Sequence, residues 1–355
     1  MVRRILMAAL IFLLAAFAAL YWYMRPLPIL TVTSWAGDYG HAQAVAQMHP
    51  FTVSHRVDVH IAEWEGQLSD LKGDVIDFEL PKAVEACDRG LLEKIDASTL
   101  PAGDDGTVAA KDFVPGAIGP CWVGSMVYSH IIIFSPGAFP AGQPMTLADF
   151  FDTAKFPGRR ALKRGSGKYN LEMALLADGV APKDVYPMLD TDAGLARALA
   201  KLSSLGASLT WYDKDSEAPQ RIRDGEAAFA TALNGQIYDP KQTASPLGVI
   251  WDRQLYEFDA FGIPAGDPKP DMALDFIRFA TGSKPLAGVA SLMPLGPARR
   301  SAFSLSGKNP ESGADLRAIL PTAHFDTAFA VDDSWWRTHG DAVDTAWRNW
   351  LAGGH

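Results

Sequence analysis

The sequence predicts an α/β protein made of two domain-sized bodies, and three observations carry that expectation. Short β-branched runs alternate with helical patterns along most of the chain, the signature of a largely parallel sheet with helices on its faces. The 355 residues exceed one ordinary domain and suit two of about 150 residues each. Hydrophobic residues make up 48% and charged residues 21%, so core material is ample and the chain is neither disordered nor a coiled coil.

Arg3 and Arg4 precede an unbroken apolar run over 5–24, which reads as a positive n-region followed by an export segment. Ala16-Phe17-Ala18 offers a small-x-small cleavage site, while the ending Tyr21-Trp22-Tyr23 suits a retained anchor with an aromatic belt. Residues 1–26 are therefore a signal peptide or an N-terminal anchor, and the protein is expected in the periplasm. No cysteine follows the run, which argues against a lipoprotein. Net charge is −9; residues 1–26 hold three arginines and no acid, so the remainder carries −12. A surface that acidic argues against nucleic acid and favours cationic partners.

Beyond the export segment, 29–33 predicts a strand that stops at Ser34-Trp35-Ala36-Gly37-Asp38-Tyr39, before a helical pattern over 43–47. Strands follow at 57–61 and 74–78, the latter ending at Glu79 before a helix over 82–92. The apolar run 127–134 and the turn-rich 135–144 are expected to cross between the two bodies. Next come a helix at 147–152, a strand at 160–163 and helices at 170–178 and 192–205. Strands are expected at 227–232, 247–251 and 259–263, then helices at 271–280 and 285–292. A helical tail holds Trp335, Trp336, Trp347 and Trp350.

Cys87 and Cys121 are the only cysteines, and in an oxidising compartment such a pair reads first as one disulfide, with two buried thiols as the other reading. Several catalytic motifs fail. Gly165-Ser166-Gly167-Lys168 has Leu162 where a phosphate loop needs glycine and Tyr169 where it needs a hydroxyl on a metal. Gly-x-Ser-x-Gly is absent, the eight histidines never form H-E-x-x-H, and no Gly-x-Gly-x-x-Gly follows a strand. No metal, nicotinamide or flavin is expected.

In open α/β sheets ligands lie beyond the carboxyl ends of the strands. Those ends hold Trp35, Asp38 and Tyr39, then Glu79, then Asn234 and Gln236, and finally Trp251, Asp252, Phe258 and Asp259. Carboxylates neutralise an ammonium group and aromatic faces cover its methylene neck, at about 0.5–2 kcal/mol per cation over a ring. Each position also has a plain structural role. Trp35 suits a core, Asp38 a helix cap, Glu79 an ion pair with Lys82, and Glu172 the first turn of a helix, where the macrodipole favours acids. Asp259, set between Phe258 and the apolar 260–263, is a costly buried charge unless a partner is supplied, which favours a functional role.

These residues resemble the bacterial periplasmic solute-binding proteins of the spermidine/putrescine receptor type. The opening Leu30-Thr31-Val32 through Tyr39 is similar to that family's first strand and ligand loop. The ending Gly90-Leu91-Leu92-Glu93-Lys94-Ile95-Asp96 is similar to its second signature, and Phe258-Asp259-Ala260-Phe261-Gly262-Ile263-Pro264 with Gly296-Pro297 to its third. The resemblance implies a two-lobed, type II-like periplasmic binding fold with a ligand cleft at the hinge. It divides the chain into 27–130 with 253–300, and 131–252 with 301–355. It further implies a monomeric receptor, not an enzyme, that captures a cationic amine and hands it to the permease of an ABC importer.

Carried over by position, Trp35 and Tyr39 wall the amine site, and Asp38 stands where the family often has an acid. Asp259 is the amine-binding aspartate and Phe258 its aromatic neighbour. Glu79 replaces a serine, Leu233 a tryptophan and Gln236 an acid, while Tyr169 falls near a family carboxylate. Such departures leave an opine, an amino acid derivative or a thiamine-like cation as alternative guests. The rival of another class is a membrane-anchored periplasmic hydrolase that uses Asp38, Glu79 and Asp259 as acid and base.

Overall fold

A computed structural model describes residues 24–63, 65–238 and 247–353, with scattered positions before residue 24. Part of the apolar run, including Ala18 of the proposed cleavage site, lies outside the described residues. Among the described residues no helix is long and apolar enough to cross a membrane.

One ten-stranded sheet organises the chain, in the order β2-β1-β3-β8-β4-β7-β5-β6, with β10 on β8 and β9 on β4. On one side lie β1 (Ile29–Ser34), β2 (Asp58–Glu63) and β3 (Val75–Glu79), with β1 parallel to both neighbours. On the other lie β5 (Arg160–Lys163), β6 (Leu209–Tyr212) and β7 (Phe229–Leu233), again parallel about β5. Between them run the two longest strands, β4 (Val123–Phe134) and β8 (Gly248–Gly262), antiparallel to each other and shared by both halves. Strands β9 (Gly296–Pro297) and β10 (Phe329–Ala330) are short additions to this central pair.

The crossing between halves is therefore made by β4 and β8 themselves, not by the turn-rich 135–144. The strands expected at 247–251 and 259–263 are one continuous β8. Asp252, Arg253, Gln254 and Glu257 make its middle look like a loop, yet Gln254 and Glu257 are buried and paired. Gln254 donates to the carbonyls of Pro321 and His324 at 3.0 and 2.7 Å. Strand β6 was not foreseen; three of its four residues are only half-buried, so it lacks a clear apolar alternation.

The helices cover both faces. The first half carries α1 (Gly37–Gln43), continued through a π turn into α2 (His49–His55), then α3 (Leu80–Asp88) and the single turn α4 (Ala109–Asp112). The second half carries α5 (Leu147–Phe151), α6 (Asn170–Ala177), α7 (Val185–Leu189), α8 (Asp192–Ser203) and α9 (Glu217–Arg223). The chain then returns to the first half through α10 (Pro270–Ala280), α11 (Ser283–Leu292) and α12 (Arg300–Phe303). It ends on α13 (Asp333–Ala352), capped by the Asp332 carboxylate, which accepts from the Trp335 backbone amide at 2.9 Å.

Two apolar clusters define two lobes. Leu30, Val32, Phe51, Ile76, Phe78, Phe261 and Phe276 anchor the first; Ile132, Phe150, Leu171, Leu202, Phe229 and Trp347 anchor the second. A third cluster joins Tyr39, Ala42 and Met126 to Leu286, Ala302, Leu316 and Leu320, so residues 302–320, which the sequence groups with the second lobe, pack beside α1 and α11. Cys87 and Cys121 form a disulfide with Cα atoms 5.7 Å apart, tying α3 to the segment entering β4. The tail tryptophans dock α13 on the second lobe: Trp347 Nε1 donates to the Arg164 carbonyl at 2.7 Å and Trp350 Nε1 to Ser203 Oγ at 3.0 Å.

Candidate functional site

Acids on the central strands face one another where the lobes meet. Strand β3 pairs antiparallel with β8 so that Glu79 lies opposite Asp259 and Asp77 opposite Phe261. Asp77 sits in a run of otherwise apolar residues and is wholly buried. It accepts from Gln43 Nε2 at 2.6 Å and Ser34 Oγ at 3.1 Å, and burial pushes its carboxyl up to about 6. The Tyr39 phenol, buried beside it, shares a 3.5 Å contact with Ser125 Oγ. Burial, then Asp77 and Asp259, raise its pKa well above the usual phenol range.

Asp259 is buried, and among the described residues no group donates a hydrogen bond to its carboxylate. Burial, followed by repulsion from Asp77, Glu79 and Glu257, holds its pKa far above the ordinary carboxylate range. Glu79 opens onto the cleft at the head of α3, without a capping bond from its side chain. Burial and the nearby Glu257 raise its pKa too, against the pull of Lys168.

The second lobe brings one ammonium to this cluster. Lys168 Nζ lies 2.6 Å from Glu257 Oε1 and 2.8 Å from Asp333 Oδ1, on the loop before α6. Burial disfavours its charge, but Glu257 and Asp333 outweigh burial and raise its pKa. Burial and Glu257 push Asp333 up to about 8, whereas Lys168 overcomes burial at Glu257 and lowers it. The Tyr169 hydroxyl donates to Glu257 Oε2 at 2.6 Å, and its ring stacks on His130 with centroids 3.3 Å apart. Burial lowers His130 to about 4, so it is neutral at pH 7 and adds no positive charge. Lys82 and Lys163 reach toward Glu79 only through space, being paired with Glu85 at 3.4 Å and Asp215 at 2.8 Å. Among the described residues, Asp77, Glu79, Glu257, Asp259 and Asp333 thus share a single close ammonium. A cluster so unbalanced favours a cationic guest.

With that geometry in place, the comparisons with known proteins decide the family. The model of the bacterial extracellular solute-binding proteins matches residues 42–315. The chain belongs to that family. A gamma-aminobutyric acid-binding protein of Pseudomonas aeruginosa is 31% identical over 334 residues, covering 91% of either chain. The solved Atu4243 GABA receptor superposes with a TM-score of 0.73 at 28% identity, over 92% of this chain and 98% of that one. An ABC transporter substrate-binding protein from Bradyrhizobium japonicum superposes with a TM-score of 0.75 at 26% identity, over 91% and 99%. The fold is accordingly the two-lobed periplasmic binding fold, and this solute-binding protein serves an ABC importer as its receptor. The hydrolase rival falls with that membership.

Within the solute-binding protein the expected residues separate. Trp35, Tyr39, Glu79, Asp259 and Tyr169 gather around the acids or in the packing directly beneath them. Gly37 takes a left-handed φ of +70° at the start of α1, and a Cβ at Gly40 would stand 2.4 Å from the Trp35 carbonyl oxygen, so small residues let this loop fold tightly. Asp38 lines a separate hollow of about 430 Å³ with His41, Gly235 and Tyr238, and none of the clustered acids lines it. Gln236 is exposed on the same side.

Others are engaged elsewhere. Asn234 is a structural bracket: its amide oxygen accepts from the Ser129 backbone at 2.8 Å while its nitrogen donates to the Pro294 carbonyl. Phe258 points into the first core, edge-on to Tyr256 at 5.6 Å, because adjacent strand residues face opposite sides. Trp251 stacks on His324 at 4.3 Å, eight residues and on the order of 25 Å along β8 from Asp259. Asp252 accepts from the Leu147 backbone amide at 3.0 Å. Glu172 is buried in the second lobe, accepting from Trp336 Nε1 at 2.5 Å and the Tyr186 hydroxyl at 3.3 Å.

The acids Asp77 and Glu257 and the ammonium of Lys168 were missed. A charge inside an otherwise apolar strand marks both acids, the same signal that marked Asp259. Lys168 lies in a glycine-rich loop that matches no phosphate motif, so no local signal marks it.

Proposed function

We propose that the solute-binding protein captures a short ω-amino acid of the GABA kind in the periplasm, as a monomer, and passes it to an inner-membrane permease. Its ammonium would sit between Glu79 and Asp259, covered by Trp35 and Tyr39. The observation that carries this reading is the pair of facing carboxylates, neither of which has an ion-pair or hydrogen-bond partner among the described residues. A charged hydrogen bond contributes about 1.5–3 kcal/mol, and relief of the repulsion among the acids adds to it. The buried indole Nε1 of Trp35 has no acceptor among the described residues and suits the guest's carboxylate. Relatives whose names carry GABA support that choice over the polyamines that the three sequence signatures suggest. Closure would follow as a population shift, since a guest that touches both lobes binds the closed form better.

The test is calorimetry and thermal shift on the protein from Leu27 onward, with GABA, putrescine, spermidine, glutamate and an opine. At a hundredfold excess over Kd, GABA adds about 2.7 kcal/mol of stability. Silence toward every amine in the panel ends the reading.

A further inference from the structure

Glu257 and Asp259 stand two apart on β8, so both side chains leave the same face about 7 Å apart along the strand. They form two acidic stations. At the first, Asp259 faces Glu79 with no ammonium near enough to pair; at the second, Glu257 and Asp333 already hold the ammonium of Lys168 at 2.6 and 2.8 Å. Both acids of the second station are buried, Glu257 fully and the Asp333 side chain to 2% exposure, while Lys168 stays 17% exposed. Glu79 senses both Glu257 and Lys168, which places the two stations in one continuous field.

We propose that Lys168 sets the specificity of this receptor, its ammonium filling the second acidic station so that the guest brings only one. The inference rests on the amine reading above and deepens it. A guest with two ammoniums finds Glu257 and Asp333 already paired with Lys168, so its second charge has no free carboxylate there to offset its desolvation. A guest with a single ammonium needs no second acid. One side chain thereby separates ω-amino acids from diamines of similar length. Removing it leaves Glu257 and Asp333 buried and uncompensated, a state that an incoming second ammonium corrects.

The experiment compares affinities for GABA and putrescine in the wild type and in Lys168→Ala and Lys168→Arg, by calorimetry at neutral pH. The ratio of putrescine to GABA affinity rises by at least about tenfold in Lys168→Ala, or 1.4 kcal/mol, and stays near the wild-type value in Lys168→Arg, which keeps the charge. An unchanged ratio in folded Lys168→Ala overturns the proposal. Should Lys168→Ala not fold in buffer, it is refolded with putrescine present; recovery of the native circular dichroism supports the proposal, and failure to recover overturns it. A wild type that binds neither compound removes the amine reading and this inference together, whereas amine binding with an unmoved ratio removes the inference alone.

Discussion

Glu79 and Asp259 are register partners on antiparallel strands, and neither carboxylate accepts a hydrogen bond among the described residues. In the empty protein this pair is a liability. Asp259 is desolvated and repelled by three other acids, so its ionised form opposes folding. Asp259→Asn is therefore expected to raise the melting temperature of the unliganded protein, by roughly 2 °C per kcal/mol recovered, while abolishing the shift caused by GABA. Thermal scans with and without ligand check both halves; a variant that loses stability and keeps the ligand shift takes Asp259 out of the site.

The same acids set a pH dependence. Asp77 rises from an ordinary 3.8 to about 6, so between those values the folded chain holds a proton that the unfolded chain releases. Its contribution is present in full below pH 3.8 and is lost as pH climbs toward 6, which makes the unliganded protein less stable across that window. An ammonium guest prefers the ionised acids, so binding should release protons and tighten from pH 5 to pH 7. Calorimetry in buffers of different ionisation enthalpy measures that release, and proton uptake would contradict the assignment.

How much of this was legible follows from what each residue does. Trp35, Glu79 and Asp259 could be found because strand ends and isolated charges in apolar runs are local signals. The register that sets Glu79 against Asp259 could not, since it depends on β8 running back between β3 and β4 from sequence positions 180 residues away. Phe258 and Trp251 look like pocket aromatics in one dimension. Strand alternation buries Phe258, and the length of β8 carries Trp251 into the other lobe. Asn234 reads as a ligand residue until its two backbone partners are visible.

The Cys87–Cys121 bridge closes a separation of 34 residues around the entry to β4. On the chain-entropy model it stabilises the fold by about 4 kcal/mol, chiefly by restricting the unfolded chain. Reduction or Cys87→Ser with Cys121→Ser should lower the melting temperature without moving the affinity for GABA, because both sulfurs lie in the first core. Intact mass with and without reductant should differ by two hydrogens, and identical masses would exclude the bridge.

Glu172 poses the remaining question about the second lobe, because an acid near the cleft can serve the guest or the scaffold. Its carboxylate is fully buried, one oxygen accepts from Trp336 Nε1 and Tyr186, and the other has no partner. Burial lifts it to about 7 from an ordinary 4.5. The folded state thus retains a proton that the unfolded state gives up from about pH 4.5, and the cost of ionising this group inside the fold is complete above about pH 7. Glu172→Gln removes that cost while keeping an acceptor for the indole, so it should be the more stable protein at pH 8, by up to about 3 kcal/mol, with the advantage shrinking toward pH 5. If Glu172 serves the scaffold, GABA affinity at pH 7 is unchanged in the variant; a fall in affinity alongside the gain in stability would assign the carboxylate to the guest.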